Sequence, residues 1–263
     1  MKNLSISLLS TFAIIALATG ATGTGCSSGG GGNSGAGDPL VPTADGFFDG
    51  LNAAGILGAW YSYGDWYGGP DPAAPMAGGG DCGKANYTAD QCSAITAPAP
   101  GQPFMNTGGK MCTTGTAAKV LDMMYSAMWG AGIGFDTNNA GNDGGTGKNA
   151  WDAGAHNVTG LSFHIDMPPT GGQMRVEFPT NALTGTTDIN AAYWGGETMN
   201  LSPFTKTGDY TIKWADVGGP MYLTPHMPFD KTKIISVQFH VVTNTSSSIP
   251  FDYCVSNLRS LHD

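Results

Sequence analysis

Two short segments carry the side chains best suited to chemistry: Met174-Arg175-Val176-Glu177-Phe178 and Val237-Gln238-Phe239-His240-Val241. In each, every second residue is polar. A β-strand turns successive side chains to opposite faces, so Arg175 would share a face with Glu177, and Gln238 with His240. Neighbouring strands would hold these groups about 5 Å apart. Sugar hydroxyls are recognised by such guanidinium, carboxylate and amide groups, with an aromatic ring against the apolar face of the pyranose. Rings are at hand. Trp60, Tyr61, Tyr63, Trp66 and Tyr67 crowd one segment read as a loop, and Tyr193-Trp194-Gly195-Gly196 sets two rings on a glycine-hinged loop. The candidate ligand-binding residues are therefore Trp66, Arg175, Glu177, Tyr193, Trp194, Gln238 and His240. Trp60 and Trp214 sit in apolar contexts and are expected in the core. The same polar positions also fit a simpler reading, the water-facing half of an antiparallel sheet.

Other chemistries find less. Asp152, Asp166, Glu177, Glu197, Asp209 and Asp216 could furnish two carboxylates for glycoside hydrolysis, but nothing in the sequence selects a pair. Over 41–263 the chain has no Gly-x-Ser-x-Gly elbow, no His-Glu-x-x-His and no phosphate-binding glycine loop in a strand-to-helix context. No Cys-x-x-Cys pair is present and the histidines are scattered, which argues against zinc.

The elements that must position these residues read as short strands. Leu161 to Met167 alternates apolar and polar residues and stops at Pro168-Pro169; Met174 to Phe178 stops at Pro179; Tyr210 to Trp214 repeats the pattern. Ile234 to Val242 places Ile235, Val237, Phe239 and Val241 on one face and Ser236, Gln238, His240 and Val242 on the other. Phe251 to Leu258 closes the chain. Thr116 to Met128 is the nearest approach to a helix, so helix is at most a minor component. Strands separated by Gly, Pro and Asn clusters predict an all-β, antiparallel β-sandwich, and one domain is expected over 41–263. Gly68 to Gly80 and Thr96 to Gly109 are long loops by composition.

The net charge is −9, with 11 Lys and Arg against 20 Asp and Glu, so nucleic acid is a poor partner and a polyanionic polysaccharide is disfavoured. A monomer is expected. Lys2, the apolar stretch Leu4 to Ala18 and the small residues Thr24-Gly25 form an export signal over residues 1–25. The junction at Cys26, followed by Ser27-Ser28-Gly29, resembles a bacterial lipoprotein signal, with Gly23 where that family usually carries Leu. The resemblance implies lipid attachment at Cys26 and a membrane anchor, and Ser27 resembles the sorting signal of outer-membrane lipoproteins. Residues 26–40 are Gly- and Ser-rich and are expected to be a flexible tether. The remaining four cysteines, Cys82, Cys92, Cys112 and Cys254, suit two disulfides in an exported chain. Three connectivities are open. Cys82 and Cys92 bracket a short turn-rich loop, and a local bridge there leaves Cys112 for Cys254.

Gly58 to Asp65, the string Trp129-Gly130-Ala131-Gly132-Ile133-Gly134-Phe135-Asp136, and Trp151-Asp152-Ala153 with Gly160 to Phe163 resemble exported bacterial proteins whose domain is similar to jelly-roll carbohydrate-binding modules of the galactose-binding-like type. Ile235 to Val241 and Phe251 to Leu258 resemble the closing two strands. The resemblance spans roughly residues 43 to 260 and implies a jelly-roll sandwich with a carbohydrate ligand and no catalysis. Such modules commonly hold a structural calcium; here Phe48 and Ser256 stand where two of its carboxylates would fall, which disfavours the ion and leaves Asp45 and Asp49 as the remaining oxygen donors. Arg175-x-Glu177 and Gln238-x-His240 also resemble two motifs of jelly-roll alginate-lyase-like enzymes, in which a His removes a proton beside a neutralised uronate. The third motif of that family is absent, and Phe251-Asp252-Tyr253-Cys254 stands in its place. An envelope structural or adhesive lipoprotein without a small ligand is the remaining alternative.

Overall fold

Alternating apolar residues along a dozen short segments leave each strand with one face to bury, and two sheets packed face to face bury both sets at once. The computed structural model describes residues 37–66, 81–99, 101–140, 148–170, 173–180, 197–199, 204–217 and 229–263. In chain order the strands are β1 Asp38–Pro39, β2 Phe47–Asp49, β3 Leu57–Gly64, β4 Ala94–Ala97, β5 Lys110–Ala117, β6 Gly130–Asp136, β7 Val158–Asp166, β8 Gln173–Phe178, β9 Glu197–Met199, β10 Gly208–Lys213, β11 Ser236–Val242 and β12 Ile249–His262. Helical structure among the described residues amounts to α1, Asp81–Lys84, and two single 3-10 turns.

The first sheet has the order β10-β7-β12-β5-β4, with β1 also on β12, and the second runs β2-β3-β6-β11-β8-β9. Every pairing between named strands is antiparallel. From β3 onward the chain crosses repeatedly between the sheets, as a jelly roll requires, and the expected antiparallel jelly-roll β-sandwich is the observed fold.

The core lies between the sheets. Ile133, Phe135, Val176, Phe178, Val237, Phe239 and Val241 of the second sheet meet Leu161, Phe163, Ile165, Phe251, Tyr253 and Val255 of the first, all buried. Phe239 stands edge-on to Phe163 at 5.1 Å and stacks on Trp60 at 5.9 Å. Trp214 packs edge-on to Phe178 and donates from Nε1 to the Val158 carbonyl at 2.8 Å. Trp60 and Trp214 are thus core residues, as expected. Tyr253 crosses the gap between sheets: its hydroxyl donates to the Phe239 carbonyl at 2.7 Å and accepts from the Ile133 amide at 3.3 Å.

Both disulfides form, Cys82 with Cys92 and Cys112 with Cys254, and the second joins residues directly opposite in the β5–β12 ladder.

Two expectations need correction. The aromatic segment from Trp60 is strand β3 up to Gly64, because Trp60 and Ser62 alternate inward while Tyr61 and Tyr63 face out. Residues 37–40 are not tether: Asp38 and Pro39 pair with Ser260 and Arg259, and Leu40 is buried in the core. Thr116 to Met128, the nearest approach to a helix in the sequence, is the end of β5 followed by turns, with Asp122 and Met123 both at positive φ.

Candidate functional site

The outer face of the second sheet collects the candidates. Reading across the strands, Tyr61 of β3, Gly134 of β6, Gln238 of β11 and Glu177 of β8 form one row; Tyr63, Gly132, His240 and Arg175 form the next. Their proximity follows from register alone. Strand β6 contributes only glycine to these rows, while its intervening Ala131, Ile133 and Phe135 point into the core. A Cβ on Gly132 would lie 2.0 Å from the Phe239 carbonyl oxygen, and one on Gly130 would lie 2.2 Å from that of Val241 and 2.7 Å from His240 Nε2. Glycine is required here by close approach of the next strand.

With β6 bare, side chains from β3 and β11 lean over it and meet. Gln238 donates from Nε2 to the Tyr61 hydroxyl at 3.0 Å. His240, 4% exposed, sits between Glu177 Oε1 at 2.9 Å from Nδ1 and the Trp129 carbonyl at 3.0 Å from Nε2. A carbonyl and a carboxylate both accept, so both ring nitrogens carry hydrogen in this arrangement. The imidazole therefore offers no lone pair to a substrate proton.

Burial drives the Glu177 carboxyl upward, but the His240 charge and hydrogen bond, with Arg175 nearby, outweigh it and hold it below the usual carboxylate range. Glu177 is thus an anion fixed in place. Tyr63 is pushed well above the ordinary phenol value by burial and then by the Glu177 charge, so it is a neutral phenol at neutral pH. The lyase constellation of a free His base with a Tyr partner is not what these groups form.

Aromatic rings wall one side. Tyr63 stacks with Trp129 at 5.9 Å, Trp129 stands edge-on to His240 at 5.6 Å, and Tyr61 lies 6.0 Å from Tyr63. Lys148 Nζ sits 4.4 Å over the Tyr61 ring while pairing with the buried Asp136 at 2.8 Å. Burial raises the Tyr61 phenol, and Lys148 partly offsets this. Among the described residues Arg175 makes no hydrogen bond and no close ion pair, although it is half-buried. Its guanidinium is a set of unengaged donors beside an oriented carboxylate.

Below Trp129 lies a small lobe. Asp65, fully buried, accepts from the Ser93 amide and hydroxyl, both at 2.7 Å, and from the Gly130 amide at 2.9 Å. Its carboxyl is raised by burial, against the pull of those hydrogen bonds. Asp65, Cys82 and Cys92 form the sole cluster of metal-ligand type among the described residues, and both sulfurs are committed to the disulfide, so it is not a metal centre.

Of the sequence candidates, the structure brings Arg175, Glu177, Gln238 and His240 together. Trp66 is set apart, packing half-buried against the Cys82, Cys92 and Met128 cluster. Tyr193, Trp194 and Cys26 lie outside the described residues. Tyr61, Tyr63, Trp129 and Lys148 were missed as members of the site. The signal for the first three was present as period-two alternation through Ala59 to Tyr63 and through the glycines of β6.

No protein-family model matches the chain, and neither does any curated protein. Among solved structures it is similar to a family 11 carbohydrate-binding module from Clostridium thermocellum in complex with a β-1,3-1,4-mixed-linked tetrasaccharide, at 13% identity over 87% of this chain and 98% of that one, TM-score 0.42. It is similar also to the family 11 module of a cellulosomal cellulase of the same organism, at 14% identity over 80% and 90% of the two chains, TM-score 0.39. A module specific for non-crystalline cellulose, CBM28, aligns at 10% identity over 67% and 87%, TM-score 0.29. Likeness at this level assigns neither family nor ligand.

Proposed function

We propose that the outer face of the second sheet binds a neutral carbohydrate without altering it. The observation that carries this is the unengaged Arg175 guanidinium beside Glu177, whose second carboxylate oxygen is left to a ligand while His240 holds the first. Donor and acceptor side by side suit the paired hydroxyls of a pyranose, and the Tyr61, Tyr63 and Trp129 wall suits its apolar face. A neutral ligand fits best, because the chain is acidic and the site holds a fixed anion. Capture of His240 by two acceptors speaks against proton abstraction. The protein is further proposed to be exported and held at the outer membrane through lipid on Cys26, on the strength of the signal-like N-terminus alone.

A glycan array with the purified protein, followed by calorimetric titration, tests the reading. Binding to a neutral glycan is expected, weakened about tenfold or more by Arg175→Ala and by Glu177→Gln, as for loss of a charge-assisted hydrogen bond. Absence of binding to any neutral glycan would favour a structural envelope protein. Ultraviolet-absorbing unsaturated products from a uronate polymer would favour a lyase. Mass spectrometry of the mature N-terminus distinguishes a diacylglyceryl-modified Cys26 from a free end.

A further inference from the structure

Among the described residues the lobe around the Cys82–Cys92 disulfide makes no hydrogen bond to Arg175 or Glu177, yet it grips Trp129, which joins the aromatic wall to His240. Asp81, immediately before Cys82, accepts from Trp129 Nε1 through Oδ2 at 3.1 Å. The Cys82 amide donates to the Asp65 carbonyl at 3.0 Å, and the Asp65 amide donates to the Gly130 carbonyl at 2.9 Å. Ser93, immediately after Cys92, donates twice to the Asp65 carboxylate, which also takes the Gly130 amide. Cys82 thus reaches the Trp129 ring through Asp81 and one hydrogen bond, and Cys92 reaches the Gly130 amide through Ser93 and the Asp65 carboxylate. Trp129 in turn accepts from His240 through its carbonyl and stacks on Tyr63 through its ring, and His240 orients Glu177.

The lobe's secondary structure among the described residues is one helical turn and one 3-10 turn, and its buried apolar cluster consists of Cys82, Cys92, Ala118, Val120, Ala127 and Met128, with Trp66, Ala85, Tyr87 and Leu121 packed against it, separate from the sandwich core. The bridged cysteines are two of its six buried residues, and the bridge ties together the two ends of the segment that contact Trp129 and Asp65.

We propose that Asp81 and the Cys82–Cys92 disulfide are positioning elements for the carbohydrate site: they fix the Trp129 ring and carbonyl, and through them His240 and Glu177. This rests on the carbohydrate reading, but it makes a claim about Trp129 that can be judged without any glycan. Asp81 touches no ligand in this account.

The test uses the full chain labelled with nitrogen-15, in which six tryptophans give indole N–H resonances and Trp129→Phe assigns that of Trp129. In Asp81→Ala and in the double variant Cys82→Ala/Cys92→Ala the Trp129 resonance is expected to move and its indole proton to exchange faster with solvent. The Trp60 and Trp214 resonances, from the sandwich core, should stay in place and report that each variant is folded. Asp81→Asn, which keeps an acceptor oxygen, should restore the wild-type resonance. Glycan affinity should fall about fivefold in Asp81→Ala, the scale of one net hydrogen bond, and recover in Asp81→Asn. A Trp129 resonance unchanged in the disulfide variant overturns the proposal, as does wild-type glycan affinity in Asp81→Ala with the resonance displaced. Should the wild-type protein bind no glycan, the carbohydrate reading fails, and the Trp129 resonance still decides whether the lobe positions this residue.

Discussion

His240 uses both ring N–H groups inside the protein, on Glu177 and on the Trp129 carbonyl, with only 5% of its side chain exposed and 16% of that of Glu177. Removing one partner of a buried pair leaves the other charge without compensation. His240→Ala is therefore expected to lower stability by about 3 kcal/mol in urea unfolding. The pair also predicts an acid response. The Glu177 carboxyl is lower in the folded protein than in the unfolded chain, so its contribution is complete above about pH 4.3, the unfolded value, and is lost as pH falls below that through the folded value. Wild-type stability should decline in that range, and Glu177→Gln should flatten the decline while lowering stability at neutral pH. Asp65 acts with the opposite sign: its carboxyl is raised in the fold, so its contribution is present at low pH and is lost as pH rises through the folded value. The comparison of wild type with Glu177→Gln isolates the glutamate.

At the scale of the element, β6 decides what the site can be. Its glycines face outward at Gly130, Gly132 and Gly134, and the Cβ of an alanine at 132 would lie 2.0 Å from the Phe239 carbonyl oxygen, a backbone atom that cannot step aside alone. Gly132→Ala is expected to cost more than about 3 kcal/mol, or to prevent folding, because the β6–β11 ladder must part to admit the methyl group. Gly108→Ala supplies the contrast. It has nothing within 4 Å of the added carbon and only a positive φ to strain, so about 1 kcal/mol is expected. Thermal melting of the two variants, with circular dichroism, checks both. These strands also mark what could be read in advance. β7, β8, β10, β11 and β12 were legible because polar and apolar residues alternate in them at the period of a strand, and the same alternation placed Arg175, Glu177, Gln238 and His240 on faces. In the sequence β3 resembles a loop, because a run of aromatic and small residues hides its alternation unless the inward partner of each ring is known. The burial of His240 was illegible too, since it depends on Trp129 reaching over from the start of β6, a contact 111 residues away in sequence. Lys148 joins the site through Asp136 and Tyr61, by pairings that only the folded topology creates.

For the molecule as a whole, the two disulfides divide the labour unequally. Cys112–Cys254 spans 142 residues and ties β5 to β12, while Cys82–Cys92 spans 10. By chain entropy alone, the long link would contribute about 5 kcal/mol and the short one about 3 kcal/mol. Cys112→Ala/Cys254→Ala should therefore lower the urea midpoint more than Cys82→Ala/Cys92→Ala does, with both proteins retaining the β-sheet signal in circular dichroism. The ordering would invert if the unfolded chain keeps β5 and β12 associated without the bridge. Neither disulfide joins the two sheets; Tyr253 ties them noncovalently, its hydroxyl spanning from β12 of the first to β11 and β6 of the second, and burial pushes that phenol far up, so it is a neutral donor at neutral pH.

The bare strand under the site has a consequence for how such a surface can change over generations. A binding face usually drifts by swapping side chains anywhere on it, shallower here, deeper there. On this one the middle is backbone, and any replacement at Gly132 collides with the neighbouring strand before it reaches a ligand. Variation in what the face accepts is thereby confined to its banks, Tyr61 and Tyr63 on one side and Arg175, Glu177 and Gln238 on the other. A line of descendants could acquire new preferences by editing those margins, but it would inherit the depth unchanged.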